Sequence, residues 1–254
     1  MPLPKKRLGQ HFLKDPNTAR IVAAGVKERD VVLEVGPGRG FLTAFLTQRA
    51  RHVHAVEVDP DVLPDLARIA GDNVSIHEGD ALRFDYDALD PAPNKLVANL
   101  PYNVASPLVL MLLEEVRGLD SLRFMAQLEV ARRMAAERGT KDYGAYAVLV
   151  QLLADVGILH KVSPNVFEPP PRVYSAVVDM ERRRPGPAEY RGVKPLVLAA
   201  FRSRRKRLVN NLPEPARADA QRVLVSLSHG RDARAEELAP EDFVTLFRAV
   251  SWAL

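Results

Sequence analysis

Residues 31–40 read Val31-Val32-Leu33-Glu34-Val35-Gly36-Pro37-Gly38-Arg39-Gly40. A short run of Val and Leu that breaks into alternate glycines is a buried strand ending in a tight loop. Three more short apolar runs follow, at residues 53–57, 74–77 and 95–99, each with turn or helix signals after it. Amphipathic stretches at 42–49 and 62–69 lie between them. Strands alternating with helices predict an α/β fold: a mainly parallel sheet with helices on both faces. Residues 122–128, 147–154 and 175–180 read as further strands, the last two as an antiparallel edge hairpin. The polar stretch 182–187 (RRRPGP) is the best linker, and beyond it the pattern is helical at 193–209, 213–227 and 239–253. The expected domains are therefore 1–184, built on the sheet, and 185–254, small and all-helical.

The glycine loop carries the first chemistry. A dinucleotide fingerprint needs Gly at position 41, where this chain has Phe41, and no Gly-Lys-Ser/Thr follows to make a P-loop. Pro37 removes an N–H that a phosphate cradle would use. The loop suits a nucleoside ligand without a pyrophosphate, approaching the backbone at Gly36 and Gly38. The second strand ends at Glu57, 21 residues after Gly36, where an acid accepts from ribose hydroxyls. Asp80, after the third strand, is placed to accept from an adenine amino group.

The fourth strand ends in Asn99-Leu100-Pro101-Tyr102. The exocyclic amine of adenine is a poor nucleophile, because its lone pair is delocalised into the ring. A site that activates it supplies acceptors for both N–H bonds. Asn99 Oδ1 and the Leu100 carbonyl are suited to that, Pro101 stiffens the turn that aims them, and Tyr102 offers a stacking face.

Composition narrows the class. The chain has 254 residues, 47% hydrophobic and 27% charged, which supports a sizeable core and argues against global disorder. No run of apolar residues is long enough for a membrane span, and the basic stretch 1–7 leads into no apolar signal segment; a cytoplasmic location and no membrane partner are expected. With no cysteine and no His-x-x-x-His pair, no metal site is expected. The net charge of +4 is unevenly spread: residues 181–254 hold 15 Lys and Arg against 9 Asp and Glu, whereas residues 1–180 hold 21 against 23. The positive excess points to a polyanion partner for the C-terminal quarter. Its densest part is Arg202, Arg204, Arg205, Lys206 and Arg207, expected on a helix, with residues 182–184 adding to it.

At these residues the chain resembles the ribosomal RNA small-subunit (16S) adenine N6,N6-dimethyltransferases, the bacterial KsgA type, over nearly its whole length. The resemblance is carried by KRLGQHFL (6–13), LEVGPG (33–38), NLPY (99–102), FEPPPRVYSAV (167–177) and AFRSRRKRLVNNL (200–212). It implies a Rossmann-like class I methyltransferase sheet that binds S-adenosyl-L-methionine. His11 and Leu13 would help close over that cofactor, and Gly36, Glu57, Asp80 and Asn99 would occupy its cofactor and active-site positions. Phe167 would face the target base from the side opposite Tyr102. The implied substrate is two adjacent adenosines of a 16S rRNA hairpin loop, within the 30S subunit or its precursor, and a monomeric enzyme is expected. The chain departs from the family's usual pattern at Leu128, where a lysine is common, and at Arg207, where threonine is common. Two other readings stay open here. One is a large-subunit rRNA adenine methylase of the erythromycin-resistance type; the other is a ribosome-assembly factor with an unused methyltransferase fold.

Overall fold

A computed structural model describes residues 4–5, 8–183 and 190–250. In chain order the elements are β1 (Phe12–Leu13), α1 (Pro16–Ala23), β2 (Val31–Val35), α2 (Thr43–Leu46), β3 (His52–Glu57), α3 (Leu63–Ile69), β4 (Val74–Glu78), β5 (Lys95–Asn99) and α4 (Ala105–Glu115). They continue with β6 (Ser121–Gln127), α5 (Leu128–Met134), α6 (Ala145–Leu153), β7 (Ala154–Val162), β8 (Phe167–Glu168), β9 (Ser175–Arg182), α7 (Tyr190–Ala200), α8 (Glu214–Ser226) and α9 (Pro240–Ala249). The chain divides into two units: residues 1–131 with 156–182, and residues 132–155 with 183–254. The boundary expected at 184/185 falls on residues outside the described ones. Residues 132–155 join the C-terminal unit, which the sequence pattern had not separated from the sheet.

The first unit holds a seven-stranded sheet in the order β4-β3-β2-β5-β6-β9-β7. β4, β3, β2, β5 and β6 are mutually parallel, and β9 runs antiparallel to β6. The chain moves outward from β2 to β4 and then returns to the other side of β2 as β5. That reversal leaves a crevice at the carboxyl ends of β2 and β5, where open α/β sheets bind ligands. Alternate side chains explain why the strands read as continuous apolar runs. Val32, Val53, Val97, Met125 and Val177 share one buried face, covered by Ala19, Val22 and Ala23 of α1. Leu33, Leu96, Phe124 and Val178, one position along, are equally buried on the other. α1 begins where Asp15 accepts the Thr18 N–H at 2.6 Å, with Pro16 supplying a preset φ. A separate two-stranded pairing of β1 with β8 aligns Leu13 with Phe167.

The second unit is helical. α6, α7, α8 and α9 pack around Leu196, Val197, Leu224, Phe243 and Leu246. Tyr143 is buried in it and donates to the Leu238 carbonyl at 2.7 Å. The strand expected at 147–154 is a helix, α6. Val148, Leu149, Val150, Leu152 and Leu153 are all buried, so no polar stripe marks a helical period, and a short apolar run looks alike in either state. Its one polar residue near the end, Gln151, donates to the Met134 and Ala136 carbonyls.

The helix expected across 193–209 also ends early. α7 stops at Ala200, and residues 201–203 and 208–211 form separate short 3-10 turns. Asn211 Nδ2 donates to the Ala200 and Ser203 carbonyls at 2.7 and 3.1 Å, which takes up helix-end acceptors from outside. Five cations in six residues also repel one another along a continuous helix. Two of the three positive residues at 182–184, Arg182 and Arg183, have structural work, whereas Arg184 lies outside the described residues. Arg183 pairs with Asp155 and Glu241. Arg182 turns inward, donating to the carbonyls of Leu119, Leu113 and Val116 at 2.6, 2.8 and 2.9 Å, and to Leu112.

Arg182 thus places a cation on the carboxyl end of α4, where the last carbonyls lack helical partners. Replacing it by methionine keeps the stem and strips the donors from several carbonyls at once. Arg182→Met is expected to cost about 2–3 kcal/mol of stability, read as a lower urea midpoint. An unchanged midpoint would mean that the guanidinium contributes nothing to the fold.

Candidate active site

β2 and β3 end side by side, and the loop after β2 is tied across that gap. Gly36 N–H donates to the Val56 carbonyl at 2.9 Å. At φ +69° Gly36 has a backbone that side chains rarely adopt, and a Cβ there would lie 3.0 Å from the Pro101 ring. The bare glycine therefore lets the end of β2 approach the turn after β5. Gly38, at φ +57°, donates to Glu57 Oε2 at 2.9 Å. Glu57 Oε1 accepts from Val58 and Asp59 N–H, each at 2.9 Å. Burial pushes this carboxyl above its ordinary range, while those three N–H groups oppose the shift. A carboxylate has about four acceptor positions, so one remains for a hydroxyl.

A strap at residues 8–14 lines the opposite wall. Gln10 Nε2 donates to Asp59 Oδ2 at 2.7 Å, and Lys5 Nζ reaches Asp59 Oδ1 at 2.5 Å. The β1–β8 pairing fixes the strap's far end, with Leu13 buried against Phe167. His11 Nδ1 is 2.7 Å from the Pro169 carbonyl. A carbonyl only accepts, so Nδ1 is the donor in this bond. The His11 ring lies 5.2 Å from the Tyr102 ring at 31°.

β5 delivers the remaining parts. Asn99 Nδ2 donates to the His11 carbonyl at 3.1 Å, which fixes which amide atom faces the strap. Asn99 Oδ1 is buried with no hydrogen-bond partner. Leaving such an oxygen unpaired costs about 1–3 kcal/mol, and a native group in this state calls for an explanation. Leu100 N–H donates to the Met125 carbonyl at 3.2 Å, which pins the turn. Tyr102 hydrogen-bonds Ser175 Oγ through its hydroxyl, leaving its ring to line the cavity.

These groups surround a cavity of about 370 Å³. His11, Leu13, Gly36, Gly38, Glu57 and Asn99–Tyr102 all line it. Asp80 does not: it is exposed, outside the lining, and its Oδ1 accepts from Leu82 N–H two residues on. Phe167 does not face Tyr102 across a slot either. It is fully buried in the core and meets Tyr102 edge-to-face at 6.5 Å and 77°.

Glu34, Phe41 and Ile69 also line the cavity and were not singled out from the sequence. Glu34 had a signal, an acid inside a fully buried strand. Thr43 Oγ1 donates to it at 2.7 Å, yet burial, aided by the nearby Glu57, raises its pKa to about 8. Among the described residues no group of three or more His, Asp or Glu could hold a metal ion.

The five C-terminal cations divide. Arg204 donates twice to Glu236 Oε2, at 2.6 and 3.0 Å, and to the Lys141 carbonyl at 2.7 Å. Arg207 pairs with Asp232 at 3.0 Å. Arg202, Arg205 and Lys206 are exposed.

The model of the ribosomal RNA adenine dimethylase family matches residues 3–251. The chain belongs to this family. A relative from Rubrobacter xylanophilus, "Ribosomal RNA small subunit methyltransferase A", is 71% identical over 98% of this chain and 96% of its own. A relative of the same name from a Mycobacterium strain is 41% identical over 96% of this chain and 89% of its own. Among solved structures, a dimethyladenosine transferase from Plasmodium falciparum superposes with a TM-score of 0.82 at 26% identity, covering 93% of this chain and 96% of that one. The 23S rRNA methyltransferase ErmE gives 0.75 at 27% identity, covering 95% and 100%. The fold is thus the Rossmann-like class I methyltransferase sheet with a C-terminal helical part, and the protein is an rRNA adenine dimethylase by family.

Glu34 makes stability pH-dependent in a defined direction. Its folded pKa, about 8, exceeds the ordinary 4.5. Between those values the folded chain holds a proton that the unfolded chain releases, so stability falls as pH rises from about 5 to 8. Urea unfolding at pH 6 and pH 8, without cofactor, is expected to show that fall, at most about 1.4 kcal/mol per pH unit. Glu34→Gln keeps the shape and removes the proton. Its stability is expected to fall less over the same interval, and a fall as steep as the wild type's would contradict a protonated Glu34.

Proposed function

We propose that the protein transfers methyl groups from S-adenosyl-L-methionine to N6 of two adjacent adenosines in a 16S rRNA hairpin loop of the small ribosomal subunit or its precursor. The observation that carries this reading is the buried, unpartnered Asn99 Oδ1 beside the Tyr102 ring. That oxygen suits a ligand that brings an N–H into the cavity.

The residues present fit the cofactor. The cavity's volume is in the range of small-molecule sites, about 300–1,000 Å³. Glu57 retains one acceptor position for a ribose hydroxyl, Gly36 and Gly38 bring bare backbone to the wall, and Phe41 and Ile69 add apolar surface. Asp80, exposed and outside the lining, is no part of this fit. When bound, S-adenosyl-L-methionine supplies a methyl group already activated on a sulfonium.

The chain's own residues then have to present the amine. Asn99 Oδ1 and the Leu100 carbonyl accept its two N–H bonds, which favours a tetrahedral nitrogen with its lone pair directed at the methyl. Tyr102 supplies the stacking face. The His11 ring now lies too close to Tyr102 for a base to fit between them, since two stacked separations of about 3.5 Å are needed. Each transfer replaces one N–H by N–CH₃ and releases one proton. After two transfers the nitrogen has no N–H left, and both acceptors would face methyl groups. That unpaired burial favours release of the dimethylated product.

The names of the 71% and 41% identical relatives support the small subunit as the substrate, and a protein acting on it belongs in the cytoplasm of a bacterium. The exposed Arg202, Arg205 and Lys206 suit phosphate contacts, whereas Arg204 and Arg207 are engaged with carboxylates. We assign RNA backbone binding mainly to the first three.

Asn99→Ala removes the acceptor for one N–H. By analogy with loss of an oxyanion-hole donor, turnover on 30S particles is expected to fall about 10²–10³-fold with both substrates saturating. Tyr102→Phe keeps the stacking face and is expected to retain most activity. An Asn99→Ala enzyme turning over near the wild-type rate would show that the motif does not act on the amine.

A further inference from the structure

The segment after β8 leaves an aromatic ring on the surface, one residue before Ser175. Tyr174 is 48% exposed and its neighbour Val173 46%, while Leu159 on β7 is 51% exposed. Lys161 Nζ, also on β7, sits 4.0 Å from the centroid of the Tyr174 ring. Isolated exposed hydrophobic residues need no explanation, but this ring is held in place. Its carbonyl accepts from Leu128 N–H at 2.9 Å. Pro169, Pro170 and Pro171 stiffen the approach. The next residue, Ser175, is buried and binds the Tyr102 hydroxyl. Tyr174 is thus one residue from the anchor of the ring that lines the cavity.

We propose that Tyr174 is a stacking platform for the nucleotide next to the adenosine being methylated, with Lys161 at its ring and the exposed Arg172 two residues before it for the RNA backbone. The proposal rests on the reading that the substrate is an RNA whose target adenosine flips into the cavity. Flipping separates that base from its neighbour, and a neighbour left without its stacking partner gains from a new aromatic face. Base–aromatic stacking tolerates any base, because every base has a π-face. Lys161 covers one face of the ring and adds a positive charge, while Arg172, exposed two residues before Tyr174, adds a second. An exposed aromatic ring with a lysine on one face and an exposed arginine two residues away in sequence complements a single-stranded polyanion.

The test is steady-state methylation of 30S particles at saturating S-adenosyl-L-methionine. Tyr174→Ala and Tyr174→Leu are expected to raise KM for the particle about ten-fold, with a smaller effect on kcat, and Tyr174→Phe to restore the wild-type KM. Leucine fills much of the volume without a π-face, so it separates stacking from packing. In parallel, a hairpin RNA with 2-aminopurine beside the target adenosine should be quenched by the wild type and by Tyr174→Phe. It should be quenched less by Tyr174→Leu. Unchanged KM and quenching in the leucine variant would overturn the platform, as would a phenylalanine variant impaired as much as alanine. Wild-type protein that leaves 30S particles unmethylated would instead sink the functional reading on which the platform rests.

Discussion

Glu57 closes the strand next to β2, and its two oxygens accept from the N–H groups of Gly38, Val58 and Asp59. Through the first of these it holds the glycine loop of β2 against the end of β3. Through the other two it sets the turn that carries Asp59, to which Lys5 and the strap residue Gln10 bind. One buried carboxylate therefore fixes the loop and, through Asp59, the strap. The topology makes this possible, because the reversal at β2 brings the carboxyl ends of β2, β3 and β5 to one edge. Gly36 lets the ends of β2 and β5 meet at Pro101, so the glycine loop and the Asn99 turn face one cavity.

In the proposed reaction, two oxygens on one turn orient a neutral amine, and burial makes them effective, because an acceptor away from water has no competing donor. The same burial makes Asn99 Oδ1 costly when it has no partner. Its amide is oriented by the His11 carbonyl, which ties the acceptor's direction to the strap. The strap's position and the acceptor's direction are thereby coupled. The protein accepts local instability at Asn99 and at the buried Glu34 in the region where a ligand would relieve it.

Much of this was legible in the sequence, for a definite reason. Strands buried on both faces read as unbroken Val and Leu runs, and β2 and β5 match their expected bounds residue for residue. The glycine loop, Glu57 and Asn99–Tyr102 were legible because strand ends in a parallel sheet share one edge. What failed depended on tertiary surroundings. α6 is buried all round, so its helical period carries no polar mark. At the basic run 202–207 the helix ends at Ala200, where the side chain of Asn211 takes up the Ala200 and Ser203 carbonyls, a tertiary bond that periodicity alone does not reveal. Charge gives no direction either: Arg182 and Arg204 look like RNA contacts by composition, but one caps α4 and the other is bound to Glu236. Asp80 sits at a strand end as expected, yet it turns back on its own loop. Phe167 is a core residue whose edge, not face, meets Tyr102.

The most direct test of the central claim is mass spectrometry of the rRNA itself. Small subunits lacking the modification would be incubated with the protein and isotope-labelled S-adenosyl-L-methionine, and their 16S rRNA digested to nucleosides and mapped fragments. The account predicts labelled N6,N6-dimethyladenosine at two adjacent adenosines of one hairpin loop, and none in 50S particles treated the same way. Label on the large subunit alone, on another atom of the base, or on no nucleoside at all would contradict it.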